Sequence, residues 1–379
     1  MKQTSRIIST YSADVFGVCS ALFELGGMTV MHDASGCNST YTTHDEPRWY
    51  DMDSMVYISA LTEMEAILGD DEKLISDIAA AAEQLHPRFI ALAGTPIPAM
   101  TGFDYAAAAR LIRERTGIPA FGFPTTGMDV YVRGAGMAFA ALARELVQPA
   151  ERTKEPSVNI LGLTPLDFSV NGTDRAIAAR LEKAGWKICS RWAMGSDGEE
   201  LFRASAAHVN LVVSETGLEA AKILRSRFGI PYVAGVPYGK IWSEQLLREL
   251  ELAAKTGENR LSRMGTGKGE VFLIGESVGT LSLACAIELE TGLAARVISP
   301  TGADRSLLRP GDLLCREEQE LETLLKEAKT VIADPLYRPI CPETVKFVEL
   351  PAESFSGRIF RERIPELVTG LEAFLKEVL

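Results

Sequence analysis

The sequence alternates short apolar segments with longer amphipathic ones, and each apolar segment is followed by Gly, Ser, Thr or Pro. This alternation is typical of parallel βαβ units, in which a buried strand ends at a turn and a helix crosses back over the sheet. It predicts strands at about 28–31, 89–93, 118–123, 158–163, 209–213, 231–235, 271–275, 296–299 and 330–333. It predicts helices at 72–85, 105–116, 136–146, 172–184, 217–228, 242–255 and 279–291.

The length of the chain predicts more than one domain. A chain of 379 residues exceeds what one hydrophobic core usually supports, so two or three domains are expected. Two charged segments, 148–156 and 255–268, interrupt the alternation and have the composition of domain boundaries. Ligands of open parallel sheets bind beyond the carboxyl ends of the strands, so the loops after the strands are where a site is expected.

Charge and composition exclude several classes of function. The net charge of −12 argues against nucleic acid as a partner, because nucleic-acid binding requires basic patches. The first residues lack the apolar core of a signal peptide, and no apolar run approaches the roughly 18 residues of a membrane span. We therefore expect a cytoplasmic protein without membrane contact. The six cysteines include no Cys-x-x-Cys pair, which disfavours disulfides and a self-contained zinc site.

Cys37 is the first candidate for a functional residue. It ends the segment His-Asp-Ala-Ser-Gly-Cys at 32–37, directly after the first predicted strand. Open backbone amides and a nearby helix start favour the thiolate, which is the form that binds soft metals. Gly36 would let the main chain fold close to the bound group. The alternative is an ordinary half-buried thiol, since free cysteines are often simply buried.

Three segments at the start of the chain carry a family resemblance. They are 32–37, the run Thr-Glu-Met-Glu-Ala-Ile-Leu-Gly at 62–69, and the predicted strand 89–93 leading into Gly94-Thr95-Pro96. In this order they resemble the first domain of nitrogenase component 1 and its relatives. The segments 158–162, 209–213 and 228–232 resemble the second domain of that family, and 269–276 and 330–335 resemble its third.

The resemblance implies an α/β fold of three Rossmann-like (flavodoxin-like) domains, each a parallel sheet flanked by helices, with a ligand cleft between the domains. The expected domains are 1–150, which would carry the cluster loop and a dimer contact, 151–262, and 263–379, which ends in a C-terminal helix.

The resemblance also implies an iron–sulfur cluster of the 4Fe-4S type, shared between subunits. Cys37 matches the middle cluster ligand of the family, and Thr95 stands where the third cysteine usually lies. No thiol occupies the first position, so we consider an oxygen of Asp14, or Cys19 from the following helical segment, whose apolar neighbours favour a core role instead. The partner would be a second copy of this chain, in a homodimer, or a homologous subunit, in a heterodimer.

Other ligands of the family are missing from the sequence. The stretches that would hold the molybdenum-type cofactor, at 212–215 and 350–357, contain neither cysteine nor histidine. We therefore expect neither that cofactor nor dinitrogen reduction, but an organic small molecule in the cleft, as in family members that reduce tetrapyrroles.

The Gly-rich segment 265–269 lacks the spacing of a phosphate loop and is read as a polar linker. The turn at 275–280 could receive an anion, but a plain turn is the preferred interpretation. ATP is not expected on this chain.

Polar residues follow Cys37 closely. His44, Asp45, Glu46 and Arg48 could tune a cluster, relay protons or line a subunit contact. A solvated loop explains the same residues and is the preferred interpretation. His32 is expected to orient the loop of Cys37 by hydrogen bonds.

The predicted function is that of a nitrogenase-like component 1 subunit. As an iron–sulfur oxidoreductase it would accept electrons from a separate ATP-dependent reductase, the iron protein, and reduce a bound small molecule. The alternative is a non-catalytic scaffold or carrier for a metal cluster or metallocofactor. A third possibility is a small-molecule-binding protein without a cluster.

Overall fold

A computed structural model describes residues 5–34, 46–196 and 198–379. These residues form three parallel sheets, which follow one another along the chain. The first has the strand order β2-β1-β3-β4, the second β6-β5-β7-β8-β9 and the third β12-β11-β10-β13-β14. The strands are β1 (Met28–His32), β2 (Val56–Ile58), β3 (Ile90–Gly94), β4 (Ala120–Phe123), β5 (Ser157–Leu163), β6 (Lys187–Ala193), β7 (Val209–Val212), β8 (Tyr232–Ala234), β9 (Arg260–Leu261), β10 (Val271–Ile274), β11 (Ala295–Ser299), β12 (Leu313–Leu314), β13 (Thr330–Ala333) and β14 (Lys346–Glu349).

Helices cover these sheets. They are α1 (Asp14–Leu22), α2 (Glu63–Leu68), α3 (Asp71–Leu85), α4 (Pro96–Thr101), α5 (Tyr105–Thr116), α6 (Tyr131–Glu145), α7 (Pro165–Phe168), α8 (Thr173–Lys183), α9 (Glu199–Phe202), α10 (Leu218–Phe228), α11 (Ile241–Thr256), α12 (Ser277–Thr291), α13 (Glu318–Leu324), α14 (Glu353–Ser356) and α15 (Leu367–Val378). In the described residues we find no helix with the length and apolar character that crossing a membrane requires.

The predicted α/β class with three parallel sheets is confirmed. The central strands β1, β3, β5, β7 and β10 are buried along their whole length, as expected for parallel sheets covered by helices on both faces. All strands of the first sheet fall within 1–150, those of the second within 151–262 and those of the third within 263–379. The exact boundaries between the domains stay a prediction. Helix α15, at the end of the chain, packs on α8 of the second domain.

Two glycines allow α1 and α6 to cross at very short distance. A Cβ atom on Gly17 would lie 2.1 Å from the carbonyl oxygen of Tyr131, and one on Gly134 would lie 1.8 Å from that of Asp14. Only a residue without a side chain fits at either place. Since α6 also packs on α10, this crossing connects domain 1 to domain 2 and fixes the positions of Asp14 and Tyr131.

Candidate functional site

The loop after β1 carries Gly36 and Cys37, and both lie outside the described residues. The first residues of this loop are held at the carboxyl edge of the domain 1 sheet. Nδ1 of His32 lies 2.9 Å from Oγ of Ser59, and the same hydroxyl accepts a hydrogen bond of 3.1 Å from the amide of Asp33. Burial lowers the pKa of His32 to about 4, so its imidazole is neutral near neutral pH. These hydrogen bonds to Ser59, which follows β2, therefore fix the point at which the loop leaves β1.

Thr95 directly follows β3, at the same edge of the sheet. Its side chain is buried, and its hydroxyl donates a hydrogen bond of 2.7 Å to the carbonyl of His32. The hydroxyl of Thr125, after β4, donates in the same way to the carbonyl of Gly94 at 2.8 Å. The threonine at the place of the expected third cysteine thus ties neighbouring strand ends together. Its role in holding a cluster stays a prediction.

Asp14 begins α1 and is buried. Its Oδ1 accepts hydrogen bonds from the amides of Val15 at 2.9 Å and Gly127 at 2.8 Å. Its Oδ2 accepts one from the amide of Thr126 at 3.0 Å. Burial raises the pKa of this carboxyl group above its usual range, and the backbone hydrogen bonds oppose the rise. In this conformation Asp14 holds the loop after β4, and its use as a cluster ligand stays a prediction.

Cys19 lies in the middle of α1 and is fully buried in an apolar core. Burial raises the pKa of its thiol far above the usual range, and the charge of Glu46 adds to the rise. Such a thiol stays protonated, whereas metals bind the thiolate. Cys19 therefore packs as a core residue here, and its role as a ligand stays a prediction.

The donors of the described residues do not by themselves fit an iron–sulfur cluster. Among these residues no group of three or more His, Cys, Asp or Glu side chains could hold a metal ion. A four-iron cluster usually requires four protein ligands, mostly thiolates. A fit would depend on Cys37 and on ligands from a second polypeptide.

Exposed apolar side chains surround the same edge of the sheet. Helix α2 is capped by reciprocal hydrogen bonds between Thr62 and Glu65, yet none of its residues is buried. Its apolar residues 64, 67 and 68 have the spacing of one helix face. Met100 is 87% exposed on α4, which contacts α2, and Met128 is 78% exposed in the loop after β4. We call this group the apolar rim, and its members are Tyr57, Met64, Ile67, Leu68, Ile97, Met100 and Met128.

The polar residues that follow the Cys37 loop are partly described. His44 and Asp45 lie outside the described residues. Arg48 is buried and binds two carboxylates, with 2.6 Å from its Nε to Oε1 of Glu46 and 2.9 Å from Nη1 to Oε1 of Glu24. The prediction of a solvated loop is therefore wrong for Glu46 and Arg48, which anchor the chain against α1.

A cleft of about 770 Å³ lies between domain 1 and the other two domains, and we call it the large cleft. Its walls are α5, β4 and α6 of domain 1, α10 of domain 2 and the segment 301–304 of domain 3. This volume is typical of pockets for small organic molecules. Its apolar lining includes Phe121, Phe123, Val132, Met137 and Leu218, and its arginines are Arg110, Arg113, Arg133, Arg144 and Arg316. Two of these arginines form ion pairs, Arg113 with Glu145 and Arg133 with Asp129.

A second cavity of about 100 Å³ lies between domains 2 and 3, with Tyr11 of domain 1 in its wall, and we call it the small cavity. Asp167, Glu276 and Asp334 line it together with Tyr11 and Tyr238, and its described lining contains no Cys, His, Lys or Arg. This volume is below the roughly 300–1,000 Å³ of usual ligand pockets.

Asp167 connects the small cavity to domain 1. The hydroxyl of Tyr131 donates a hydrogen bond of 2.5 Å to its Oδ1, and the hydroxyl of Thr164 donates one of 3.3 Å to its Oδ2. Burial and the charge of Glu276 raise the pKa of Asp167 to about 7. Burial and the neighbouring charge thus favour the protonated form of this carboxyl group.

Glu276 precedes α12, in the turn whose sequence could receive an anion. Its Oε1 accepts the amide hydrogen of Val278 at 2.9 Å, and its Oε2 accepts that of Gly279 at 2.8 Å. The carboxylate of the protein itself occupies the place where an external anion would bind, which explains why this turn is closed to one.

The sequence does indicate that four acidic residues lie at the edges of two sheets. Asp167, Glu215, Glu276 and Asp334 follow the strands β5, β7, β10 and β13, which are neighbours in their two sheets. Acids at the carboxyl ends of adjacent parallel strands meet at one edge of a sheet. The family motif draws attention to the region of Glu215 only because a cysteine of the family is missing there. It does not point to the acid itself.

The comparisons with known proteins agree with this architecture. The chain is 34% identical over 122 residues to one subunit of the light-independent protochlorophyllide reductase of Prosthecochloris aestuarii, and the match covers 31% of this chain and 23% of that protein. It is 26% identical over 259 residues to the nitrogenase iron-molybdenum cofactor biosynthesis protein NifE of Nostoc sp., and this match covers 66% of this chain and 51% of that protein. The chain thus spans about half or less of the length of these relatives.

A solved structure, nitrogenase Cp1 at pH 6.5, has the same fold. It superposes with a TM-score of 0.68 and 15% identity, covering 100% of this chain and 90% of the other. The sequence profile of the nitrogenase component 1 type oxidoreductases matches residues 15–265. The chain therefore belongs to the nitrogenase component 1 type oxidoreductase family.

Proposed function

We propose that this chain is an iron–sulfur redox subunit that pairs with a second component-1-type subunit through the carboxyl edge of its domain 1 sheet. The apolar rim is the observation that carries the proposal. Monomeric proteins rarely leave large apolar patches in water, and a partner would cover the apolar face of a capped helix that has no fully buried residue. The loop of Cys37 leaves the sheet at the same edge.

The proposed pairing would solve the shortage of ligands. Cys37 supplies one thiolate from this chain, and the partner supplies further ligands across the interface. A cluster held there stores and passes single electrons when it is bound. The electrons would come from a separate ATP-dependent reductase, since no phosphate-binding loop is assigned to this chain.

The large cleft is the proposed site of the molecule that is reduced. It contacts all three domains and begins beside β4, in the sheet that carries the Cys37 loop. Its apolar lining would hold an organic molecule, and its arginines would orient carboxylates or other acidic groups. A tetrapyrrole remains one candidate, and the small cavity is too small for it. A molybdenum-type cofactor is not proposed, because the described linings of both cavities offer neither a thiol nor an imidazole.

A scaffold function is the second candidate. It is favoured by the match to NifE, which covers 66% of this chain and whose name assigns it to cofactor biosynthesis. A scaffold and an enzyme differ in what happens to the bound group. An enzyme reduces a substrate repeatedly with the reductase, ATP and dithionite, whereas a scaffold loses its cargo to an acceptor without net reduction.

The first experiment is anaerobic purification with analysis of iron and acid-labile sulfide, on the wild type, Cys37→Ala and Cys189→Ala. Cys189 is the matched control, because it is half-buried in the second domain. We expect iron and sulfide in the wild type and in Cys189→Ala, and their loss in Cys37→Ala. Equal iron in Cys37→Ala, or an iron-free wild type, would contradict the proposal, and the latter would favour a binding protein without a cluster.

A further inference from the structure

Two carboxyl groups and one hydroxyl connect the large cleft to the small cavity. Glu215 lines the large cleft, and Glu276 lines the small cavity. The hydroxyl oxygen of Ser277 lies 2.8 Å from Oε2 of Glu215 and 3.1 Å from Oε1 of Glu276. The backbone amide of Glu215 also donates a hydrogen bond of 2.8 Å to Oε1 of Glu276. Ser277, whose single hydroxyl proton goes to one carboxyl group at a time, therefore bridges the two groups across the boundary between domains 2 and 3.

Both carboxyl groups of the bridge keep partial exposure. Glu215 and Glu276 are half-buried rather than sealed. Oε1 of Glu215 accepts a hydrogen bond of 2.7 Å from the amide of Asp304, and a carboxylate has about four acceptor sites. Glu215 thus keeps the capacity to donate to a molecule in the large cleft when it is protonated.

The groups around the bridge favour the protonated form of Glu215. Burial and the charge of Glu276 raise the pKa of Glu215 to about 7, and the hydrogen bond from Ser277 opposes the rise. A group that titrates near the working pH is suited to act as a general acid. Asp304 lies near Glu215 and pairs with Lys222 at 3.1 Å. The groups that face Glu276 are Asp167, Tyr131 and Tyr238.

We propose that Glu215 donates protons to the molecule reduced in the large cleft, that Ser277 positions Glu215, and that the ionised Glu276 keeps it protonated for this step. Oε1 of Glu276, the atom nearest to Ser277, already accepts the amides of Glu215 and Val278, so Glu276 acts as a carboxylate and supplies no proton itself. After each transfer Glu215 takes up a proton from the solvent of the large cleft. The role in reduction rests on the proposed function, whereas the contacts that hold Glu215 do not.

The test is an infrared titration of the carboxylic acid band, from mildly acidic to mildly alkaline pH, without substrate or cluster chemistry. Glu215→Gln assigns the band of Glu215, whose midpoint is expected near pH 7. Glu276→Gln should lower this midpoint, because a neighbouring negative charge is lost. Ser277→Ala should raise it, because the carboxylate loses a hydrogen-bond donor, and Ser277→Thr should restore it. Ser282→Ala, a buried serine on the same helix α12, should leave the midpoint unchanged.

The opposite directions of the two shifts make the test specific. A general loosening of the structure would expose Glu215 to water and lower its midpoint in every variant. Shifts of the same sign in Glu276→Gln and Ser277→Ala, or no shift in either, would overturn the proposal. The iron analysis of Cys37→Ala tests the proposed function separately, so the two failures are distinguishable.

Discussion

Tyr131 and Asp167 join two domains through a hydrogen bond of 2.5 Å. Tyr131 is fully buried at the start of α6 in domain 1, and Asp167 lies on α7 in domain 2. Because α6 begins where α1 crosses it at two glycines, the bond fixes the small cavity relative to the edge that carries the Cys37 loop. The position of the small cavity therefore depends on how α1 and α6 pack in domain 1.

Tyr131→Phe should destabilise the chain by about 1.5–3 kcal/mol, the usual contribution of a hydrogen bond to a charged group. It should also raise the pKa of Asp167 further, because the hydrogen bond from Tyr131 lowers it. The measurement is urea unfolding together with infrared titration of the carboxyl band. Tyr57→Phe, at a side chain that is 41% exposed, is the control and should change neither quantity.

Asp167 and Glu215 contribute stability that falls as pH rises. The pKa of Asp167 is raised from 3.8 to about 7, and that of Glu215 from 4.5 to about 7. The folded state therefore binds more protons than the unfolded state between these values, and the free energy of unfolding decreases across that window. The contribution is fully present below the unfolded pKa values and is lost as pH rises through about 7. Urea unfolding at several pH values should show a shallower decline in Asp167→Asn than in the wild type. An identical slope in the two proteins would contradict this assignment.

The central strands could be predicted from the sequence, whereas most edge strands could not. All nine predicted strands are present, and the strands that were not predicted are β2, β6, β9, β12 and β14. Each of these five lies at an edge of its sheet. An edge strand is paired on one side only and is partly exposed, so it lacks the continuous apolar run that marks a central strand.

The candidate site was predictable only where a motif was local. The position of Cys37 after β1 follows from the sequence. The ion pair of Arg48 with Glu24 does not, because the two residues are distant along the chain. The bridge of Glu215, Ser277 and Glu276 joins two domains. In the sequence Glu215 and Glu276 are two acids that follow different strands, so their contact cannot be predicted from it.

Ile67→Asp should separate the proposed assembly into monomers. Ile67 is 70% exposed on α2, so the change costs the isolated chain little, but in an interface it would bury an unpaired carboxylate. The measurement is sedimentation velocity under anaerobic conditions. Leu252→Asp on α11, at a residue that is 40% exposed in domain 2, should leave the assembly intact. An unchanged sedimentation coefficient for Ile67→Asp would contradict the proposal that the apolar rim forms the interface.

Arg48→Met should destabilise the chain by about 3–5 kcal/mol, because it leaves two buried carboxylates without their guanidinium group. Arg113→Met removes an ion pair whose side chains are 46% and 49% exposed, and it should cost only about 0–1 kcal/mol. Thermal or urea unfolding compares the two variants. Equal stability of the two would mean that the pairs of Arg48 with Glu46 and Glu24 contribute no more than a surface pair.

Gly134→Ala should destabilise the crossing of α1 and α6. The added Cβ would lie 1.8 Å from the carbonyl oxygen of Asp14, so two helix backbones must move apart, and overpacking of this kind costs about 1–3 kcal/mol or more. Gly370→Ala is the matched control on α15, where a Cβ would meet no atom within 4 Å. That change should stabilise the chain by roughly 0.5–1 kcal/mol, because alanine loses less conformational entropy in a helix. Since Asp14 holds the loop after β4, Gly134→Ala should also raise amide hydrogen exchange at Thr126 and Gly127. Unchanged exchange there would show that the loop is held without the crossing.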